Sequence, residues 1–296
     1  MRAVTMFAPA KVNLYLGVGA RRSDGYHDVE TVLQALDFGD VVRILPADEL
    51  VVTASVDLGI AEQDNLAYRA ARAFADEFSV PPRAVIEIEK RVPAGAGLAG
   101  GSSDAAAVIM GFARVYGEDP CGERCIAIAQ SLGADCVFFL TGGAAHMMGR
   151  GDAFEATLPH LPAHVVVVKP DDPVPTAAAY AQFDLAPTAA PGADRVVEAL
   201  KAGDIRRLAG SLSNNLTASS ANLVPEVIDA LAWVSGQSGV LGATMAGSGS
   251  ATFGLCEDAE SAALAAQGAR AQGWWSVATT TRPIGVEITD YDEGDE

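Results

Sequence analysis

The chain has 296 residues, half of them hydrophobic, and its 38 acidic and 20 basic side chains give a formal charge of -18 at pH 7. That length fits one large domain or two ordinary ones, and the negative charge disfavours nucleic acid and anionic membranes as partners. A phosphate-bearing ligand must therefore be bound by backbone dipoles and a few lysines or arginines, against an unfavourable overall field.

Strand and helix patterns alternate through the first half of the chain. Alternating or β-branched runs predict strands over residues 41–45, 50–56 and 84–89. Apolar residues at helical spacing predict a helix over 65–78, with Asp64 as its N-cap. A second, apolar helix is predicted over 102–115, after a glycine-rich loop.

The second half continues this alternation. Predicted strands cover residues 136–140, 165–169, 240–245 and 251–256, with a closing strand region over 274–288. Predicted helices cover residues 195–208, 225–234 and 258–272, and a Pro- and Ala-rich surface connection covers 182–194. The elements predict an α+β protein with two lobes, residues 1–155 and 156–290, followed by an acidic tail over 291–296.

Neither the N-terminus nor the cysteine usage directs the chain away from the cytoplasm. Lys11 comes before any apolar run of signal-peptide length, and the longest uncharged stretch, residues 230–256, is too rich in Gly, Ser and Thr for a membrane helix. The chain has four cysteines, Cys121, Cys125, Cys136 and Cys256. They are too few and too scattered for a disulfide framework, so reduced thiols and a cytoplasmic location are expected.

The glycine-rich segment PAGAGLAGGSSDAAAVI, residues 93–109, is the most informative stretch of the sequence. Its glycines let the backbone approach a ligand without Cβ atoms in the way. The helix that opens at residues 102–104 adds unpaired N–H groups and the positive end of its dipole. The segment therefore predicts a phosphate-binding loop, through which an acidic protein can hold ATP.

Other glycine-loop families fit this segment less well. Gly95, Gly97 and Gly100 satisfy the GxGxxG dinucleotide fingerprint, but no strand ending in an acidic residue follows about twenty residues later. A Walker A loop needs a lysine followed by serine or threonine after its last glycine, and a protein kinase needs an HRD element; the sequence has neither. A flexible surface loop stays open as the plainest alternative.

Three segments together resemble the GHMP kinases, the superfamily of galactokinase, homoserine kinase, mevalonate kinase and phosphomevalonate kinase. The loop PAGAGLAGGSSDAAA resembles their phosphate-loop motif, and MAGSGSATFGL, residues 245–255, resembles their C-terminal glycine motif. The N-terminal APAKVNLYLGVGARRSDGYHDVETVLQALDFGD resembles the branch that acts on a cytidine diphosphate-linked polyol. The DGYH tetrapeptide, residues 24–27, singles out that branch.

The resemblance implies a two-lobed GHMP kinase fold. Its N-terminal lobe would be ribosomal-protein-S5-domain-2-like, its C-terminal lobe a ferredoxin-like α+β unit, and the active site would lie in the cleft between them. The implied activity is ATP-dependent phosphorylation of the 2-hydroxyl of 4-diphosphocytidyl-2-C-methyl-D-erythritol, in the non-mevalonate route to isoprenoid precursors. A magnesium ion is expected with ATP, but the sequence identifies no ligand for it.

Three alternatives to this activity stay open. The chain could be another small-molecule kinase of the superfamily, acting on homoserine or mevalonate, or an inactive nucleotide-binding relative. A nucleic-acid binder is the third, because the N-terminal lobe of the superfamily resembles a domain of RNA-binding translation proteins. The charge of -18 argues against that third alternative.

The resemblance places a catalytic lysine at Lys11 and a catalytic aspartate at Asp135, within LGADCVFFL. The aspartate would accept the proton of the attacking hydroxyl, and the lysine would hold that carboxylate and neutralise charge on the transferred phosphoryl group. Lys11 also stands among apolar neighbours, where a buried amine needs a partner such as a carboxylate. The family continues with Val-Pro after this aspartate, whereas Cys136 and Val137 follow here, which alters the turn more than the base.

The other residues implied by the resemblance bind the two substrates. Asn13, on the same strand face as Lys11 if the strand is regular, would bind the polyol hydroxyls. The cytosine would lie between Tyr26 and Tyr180 and hydrogen-bond to His27. ATP would contact Asn65, near the adenine, and the residues Pro93, Ala94, Gly95, Ala96, Gly97, Leu98, Ala99, Gly100, Gly101, Ser102, Ser103, Asp104, Gly247, Ser248 and Gly249. A first-turn role in a helix stays open for Asn65, as does a plain hairpin turn for residues 247–249.

Two further groups of residues receive no functional role. Relatives commonly carry Asn-Asp-Leu-Glu where this chain has Asn214, Asn215, Leu216 and Thr217, so two charges are missing. No motif surrounds His146, His160 and His164. We expect these histidines to be structural or surface residues.

Overall fold

Two β-sheets organise the structure, a computed structural model that describes residues 2–291 of the chain. The strands are β1 (Val4–Arg21), β2 (His27–Pro46), β3 (Val51–Ala54), β4 (Ala84–Glu89), β5 (Ala144–Met148), β6 (Ala153–Leu158), β7 (His164–Lys169), β8 (Ser213–Asn214), β9 (Val240–Met245), β10 (Thr252–Cys256), β11 (Trp275–Thr280) and β12 (Glu287–Tyr291). The first sheet has the order β12-β1-β2-β4-β3, with β5 and β6 continuing from β2 and β8 pairing with β1. The second sheet has the order β11-β7-β10-β9.

Helices cover these sheets, so the predicted α+β class is confirmed. They are α1 (Leu66–Phe78), α2 (Gly100–Tyr116), α3 (Glu123–Leu132), α4 (Ala134–Thr141), α5 (Thr176–Leu185), α6 (Asp194–Ala202), α7 (Ile205–Ala209), α8 (Thr217–Leu223), α9 (Glu226–Ser235) and α10 (Ala259–Ala271). None of the helices within residues 2–291 is both long enough and apolar enough to span a membrane.

Two predicted elements near the site are corrected by the structure. Residues 136–140 form the buried middle of helix α4 rather than a strand, because a short run that is apolar all round fits either element. The N-cap of α1 is Asn65 rather than Asp64, since the Asn65 side chain accepts a hydrogen bond from the N–H of Ala67 at 2.9 Å.

Three further predictions differ in their boundaries. The helix predicted over 195–208 is two helices, because Gly203 ends α6 with a left-handed φ of 65°. The connection predicted over 182–194 begins later, since α5 continues to Leu185. The closing region 274–288 is two strands in different sheets, β11 in the second and β12 in the first.

The predicted lobe boundary between residues 155 and 156 falls inside β6 and stays a prediction. The predicted tail begins at Tyr291, which is the last residue of β12 and pairs with Val4. The rest of that tail, residues 292–296, lies outside the described residues.

The two sheets share buried residues, and this shared core fixes the cleft between them. Val165, Val167 and Phe253 of the second sheet belong to the same buried cluster as Val12 and other residues of the first. Helix α2 packs against α1 and β1 on the other face of the first sheet. Strand β1, the loop before α2 and the turn after β9 therefore meet at one place.

Candidate active site

The glycine-rich loop forms one wall of a cavity of about 610 Å³. The loop packs directly against the turn after β9. Gly97, with φ 75°, approaches so closely that a Cβ atom there would lie 2.1 Å from the carbonyl oxygen of Ala246. The N–H of Lys11 donates to the oxygen of Leu98 at 3.1 Å, which holds the loop on β1. Backbone contacts therefore fix the loop from two sides.

Helix α2 begins at the same wall, and no side chain caps its N-terminus. Its first residues, Gly100, Gly101 and Ser102, line the cavity. Unpaired N–H groups and the positive end of a 17-residue helix thus lie at the cavity wall, which is favourable for an anion.

Most of the predicted ATP-binding residues line this cavity, including Asn65 and residues 93–102. Asp104, Gly247 and Ser248 line it as well. Ser103 and Gly249 are not on its wall: Ser103 is fully buried in α2, and the N–H of Gly249 donates to the oxygen of Ala246 within the turn. The turn 247–249 is therefore both a tight connection and part of the cavity wall.

Lys11 and Asp135 both line the cavity, and Nζ of Lys11 lies 3.7 Å from Oδ2 of Asp135. Lys11 is almost fully buried, and its Nζ also donates to Oδ1 of Asn13 at 2.8 Å. The Asp135 side chain is 33% exposed and stands in the first turn of α4, where the helix dipole favours a negative charge. A buried cation thus faces an accessible carboxylate, as a proton acceptor beside a phosphoryl group requires.

Asn13 lies on the same face of β1 as Lys11 and joins three parts of the site. Its Oδ1 accepts from the N–H of Gly247 at 2.8 Å, and its Nδ2 donates to Oγ1 of Thr31 at 2.9 Å. The amide is therefore held in one orientation by β2 and by the glycine turn.

A buried ionic cluster beneath the loop was not predicted. Nζ of Lys90 donates to a carboxylate oxygen of Asp40 and, at 2.7 Å, to Oδ2 of Asp104. Burial raises the pKa of Asp104 to about 7, with Lys90 opposing and Asp40 adding to the shift. The N–H groups of Arg91 and Val92 donate to Oδ1 of Asp40, so the cluster fixes the chain that enters the loop. The feature of the sequence that could have indicated this cluster is Lys90, a lysine directly after strand β4 and just before the glycines.

A second cavity of about 570 Å³ adjoins the first and shares Val29, Arg150, Thr176 and Tyr180 with it. Tyr26 and His27 line this second cavity. The ring centroids of His27 and Tyr180 are 5.1 Å apart, and burial raises the pKa of Tyr180 to about 12. Three of the four predicted substrate-binding side chains therefore meet here, and Asn13 lies in the adjoining cavity.

Three charged side chains of the second cavity, Arg21, Arg150 and Asp184, were not predicted. The guanidinium carbon of Arg150 lies 5.0 Å from the centroid of the Tyr26 ring. Oδ1 of Asp184 lies 2.7 Å from Nε2 of His27. Arg150 lies between two glycines in MGRGD, a pattern that could have indicated a cation close to a ligand. Asp184 lies within residues 182–194, which the sequence predicted to be a surface connection.

Several of the residues without predicted roles have structural partners. Nδ2 of Asn214 donates to the carbonyl oxygens of Met245 and Gly247, which ties β8 to the glycine turn. Asn215 exchanges two hydrogen bonds with the backbone of Val18. Nε2 of His146 lies 3.1 Å from Oε1 of Glu30. All four cysteines are free thiols, as expected. Among residues 2–291, no group of three His, Cys, Asp or Glu side chains is arranged to hold a metal ion.

Comparison with protein families gives two matches. Residues 65–143 match the model of the GHMP kinases N terminal domain, and residues 196–273 match that of the GHMP kinases C terminal domain. Together these segments span more than half of the chain.

Two similar curated proteins carry the name 4-diphosphocytidyl-2-C-methyl-D-erythritol kinase. That of Desulfitobacterium hafniense is 40% identical over 88% of this chain and 89% of its own length. That of Nocardia farcinica is 37% identical over 97% of this chain and 96% of its own length.

Solved structures give the same result. A crystal structure of 4-(cytidine 5'-diphospho)-2C-methyl-D-erythritol kinase matches with a TM-score of 0.79 and 34% identity, over 94% of this chain and 98% of the other. Homoserine kinase from Cytophaga hutchinsonii matches with a TM-score of 0.74 but 18% identity, over 97% of each chain, which shows a shared fold alone.

Proposed function

The chain belongs to the GHMP kinases and, within them, to the 4-diphosphocytidyl-2-C-methyl-D-erythritol kinases, and from this premise we propose the reaction that it catalyses. It transfers the γ-phosphoryl group of ATP to the 2-hydroxyl of 4-diphosphocytidyl-2-C-methyl-D-erythritol, in the non-mevalonate route to isoprenoid precursors. The observation that carries the proposal is the placement of Lys11 and Asp135 in one cavity with the glycine-rich loop.

The chemistry follows from that placement. Asp135 accepts the proton of the acceptor hydroxyl, whose oxygen attacks the γ-phosphorus of ATP while ADP leaves. Nζ of Lys11, 3.7 Å from Asp135, holds this carboxylate in place and stabilises negative charge on the transferred group. The fixed amide of Asn13 binds a hydroxyl of the polyol beside this pair.

The ATP phosphates are bound by the loop amides and by the N-terminus of α2, as the uncapped helix start supports. Lys90 offsets part of the negative charge of Asp40 and Asp104 beneath them. We propose that ATP arrives with Mg²⁺, which supplies charge neutralisation at the phosphates.

The second cavity binds the cytidine diphosphate. The base lies between the rings of Tyr26 and Tyr180 and forms hydrogen bonds with His27. Arg150, which lines both cavities, is the cation best situated for the diphosphate that joins the base to the polyol. The shared wall of the two cavities supports a single substrate that spans both.

A direct assay tests this function. Purified protein is incubated with ATP and either 4-diphosphocytidyl-2-C-methyl-D-erythritol, homoserine or mevalonate, and ADP and the phosphorylated product are followed. Turnover with the cytidine compound alone supports the proposal. Turnover with homoserine or mevalonate instead would assign another acceptor, and no turnover with any of them would point to an inactive relative.

We further propose that the enzyme acts in the cytoplasm on these small molecules, without nucleic acid or membrane partners. Four free cysteines fit a reducing compartment, and the charge of -18 disfavours polyanionic surfaces.

A further inference from the structure

The side chains of His27 and Asp184 are in contact on the wall of the second cavity. His27 is the first residue of β2 and Asp184 lies in the last turn of α5, so two separate elements bring the side chains together. Nε2 of His27 is 2.7 Å from Oδ1 of Asp184, and His27 is only 6% exposed. The other carboxylate oxygen of Asp184 lies 3.7 Å from Nη1 of Arg21. A buried imidazole is thus held by a carboxylate that has a cationic neighbour.

This contact fixes the tautomer of the ring. An ionised carboxylate can only accept hydrogen bonds, so Nε2 must carry the proton. In the neutral imidazole the other nitrogen, Nδ1, is then an acceptor. Nδ1 has no hydrogen-bond partner within residues 2–291, while His27 lines the second cavity. The acceptor is therefore left for a ligand.

We propose that Asp184 is a positioning residue that makes the cavity specific for cytosine over uracil, an inference that rests on the proposed function. The exocyclic amino group of cytosine donates to Nδ1. Uracil has a carbonyl oxygen at the same ring position, so two acceptors would face each other in a desolvated site. Without Asp184 the proton moves freely between the two nitrogens, and either base finds a matching tautomer.

Binding of CDP and UDP, measured by titration calorimetry without ATP, tests the inference. The wild type is expected to bind CDP at least about tenfold more tightly than UDP, because a site built for a hydrogen bond rejects the analogue that lacks it. In Asp184→Asn, whose amide can donate to Nε2, this ratio is expected to fall to within about threefold. Asp28→Asn is the matched control, since Asp28 adjoins His27 in the chain but pairs with Arg22 at the surface. Its ratio should equal that of the wild type.

A second measurement reads the ring directly. Nitrogen-15 NMR of His27 in the wild type should show a protonated Nε2 and an unprotonated Nδ1, which is the tautomer that the inference requires. A proton on Nδ1, or full CDP preference in a folded Asp184→Asn variant, overturns the inference. Neither measurement requires turnover. If the wild type failed to phosphorylate its acceptor, the proposed function would be wrong. The calorimetry and the NMR spectra would still decide the inference about Asp184.

Discussion

The two cavities are built in different ways, although the proposed substrate spans both. At the phosphate end, Lys11 and Asn13 are buried on a long strand, and backbone contacts hold the loop and the glycine turn against them. At the base end, Tyr26 is 58% exposed on a turn between strands, and side chains from separate elements meet there. The groups proposed to act on the reacting atoms are therefore held by fixed backbone contacts, whereas the proposed recognition of the base depends on side-chain contacts.

Among the variants that test the difference between the two cavities, Asp135→Asn has the largest expected effect. An amide cannot accept the hydroxyl proton, so we expect kcat to fall by about 10² to 10⁴ while the affinity for CDP stays unchanged. Steady-state kinetics and calorimetry measure both. Asp76→Asn, an exposed helix position, is the control, and near-normal kcat in Asp135→Asn would remove this residue from catalysis.

Gly97→Ala tests whether the backbone frame matters for ATP. The Cβ of the alanine would lie 2.1 Å from the Ala246 oxygen, so the loop must move. Because the binding groups for ATP would then be misplaced, we expect KM for ATP to rise roughly 30-fold. Gly117→Ala is the matched control, because Gly117 has the same φ of 75° with nothing within 4 Å of the added carbon. Equal effects of the two variants on KM would show that the close approach is unimportant.

Tyr26→Ala probes the base end. Loss of one stacking surface is expected to weaken binding about tenfold, since stacking of a base on an aromatic ring contributes roughly 1–3 kcal/mol. The change should raise KM for the cytidine substrate and leave kcat within about twofold. A drop in kcat comparable to that of Asp135→Asn would contradict the division between the two cavities.

Asp104→Asn should give the smallest effect, which is read from the free energy of unfolding. The pKa of Asp104 is raised to about 7 by burial, from an ordinary 3.8, so the folded protein binds more protons than the unfolded chain between these values. Its stability therefore falls as pH rises through that window. Relative to wild type, Asp104→Asn should gain roughly 1–3 kcal/mol between pH 4 and pH 8. Denaturation curves that stay parallel over this range would contradict the expectation.

The catalytic end was the more predictable of the two from sequence. The glycine loop and the residues around Lys11 and Asp135 are continuous motifs, and they meet in one cavity as expected. Asp40, Lys90 and Asp104 are separated by 50 and 14 positions, so their contact arises only from the pairing of β2 with β4 and the docking of α2. The same holds for His27 and Asp184, 157 positions apart.

The local sequence pattern also gave wrong or incomplete predictions of secondary structure in part of the fold. The run CVFFL around residues 136–140 carries no period, and its helical state follows from burial on all sides. The length of β1 and β2, 18 and 20 residues, was not predicted either, because β-bulges interrupt their alternation near Lys11 and Asn13.

Strand β12 has a consequence for the biogenesis of the protein. It pairs antiparallel with β1 from Val4 to Phe7, so the outer edge of the first strand is covered only after residue 287 has left the ribosome. Until then a nascent chain exposes unpaired backbone groups at its earliest hydrophobic segment, a template for intermolecular pairing. Chaperone dependence during translation, and aggregation of chains that stop before residue 287, are therefore expected properties of this topology.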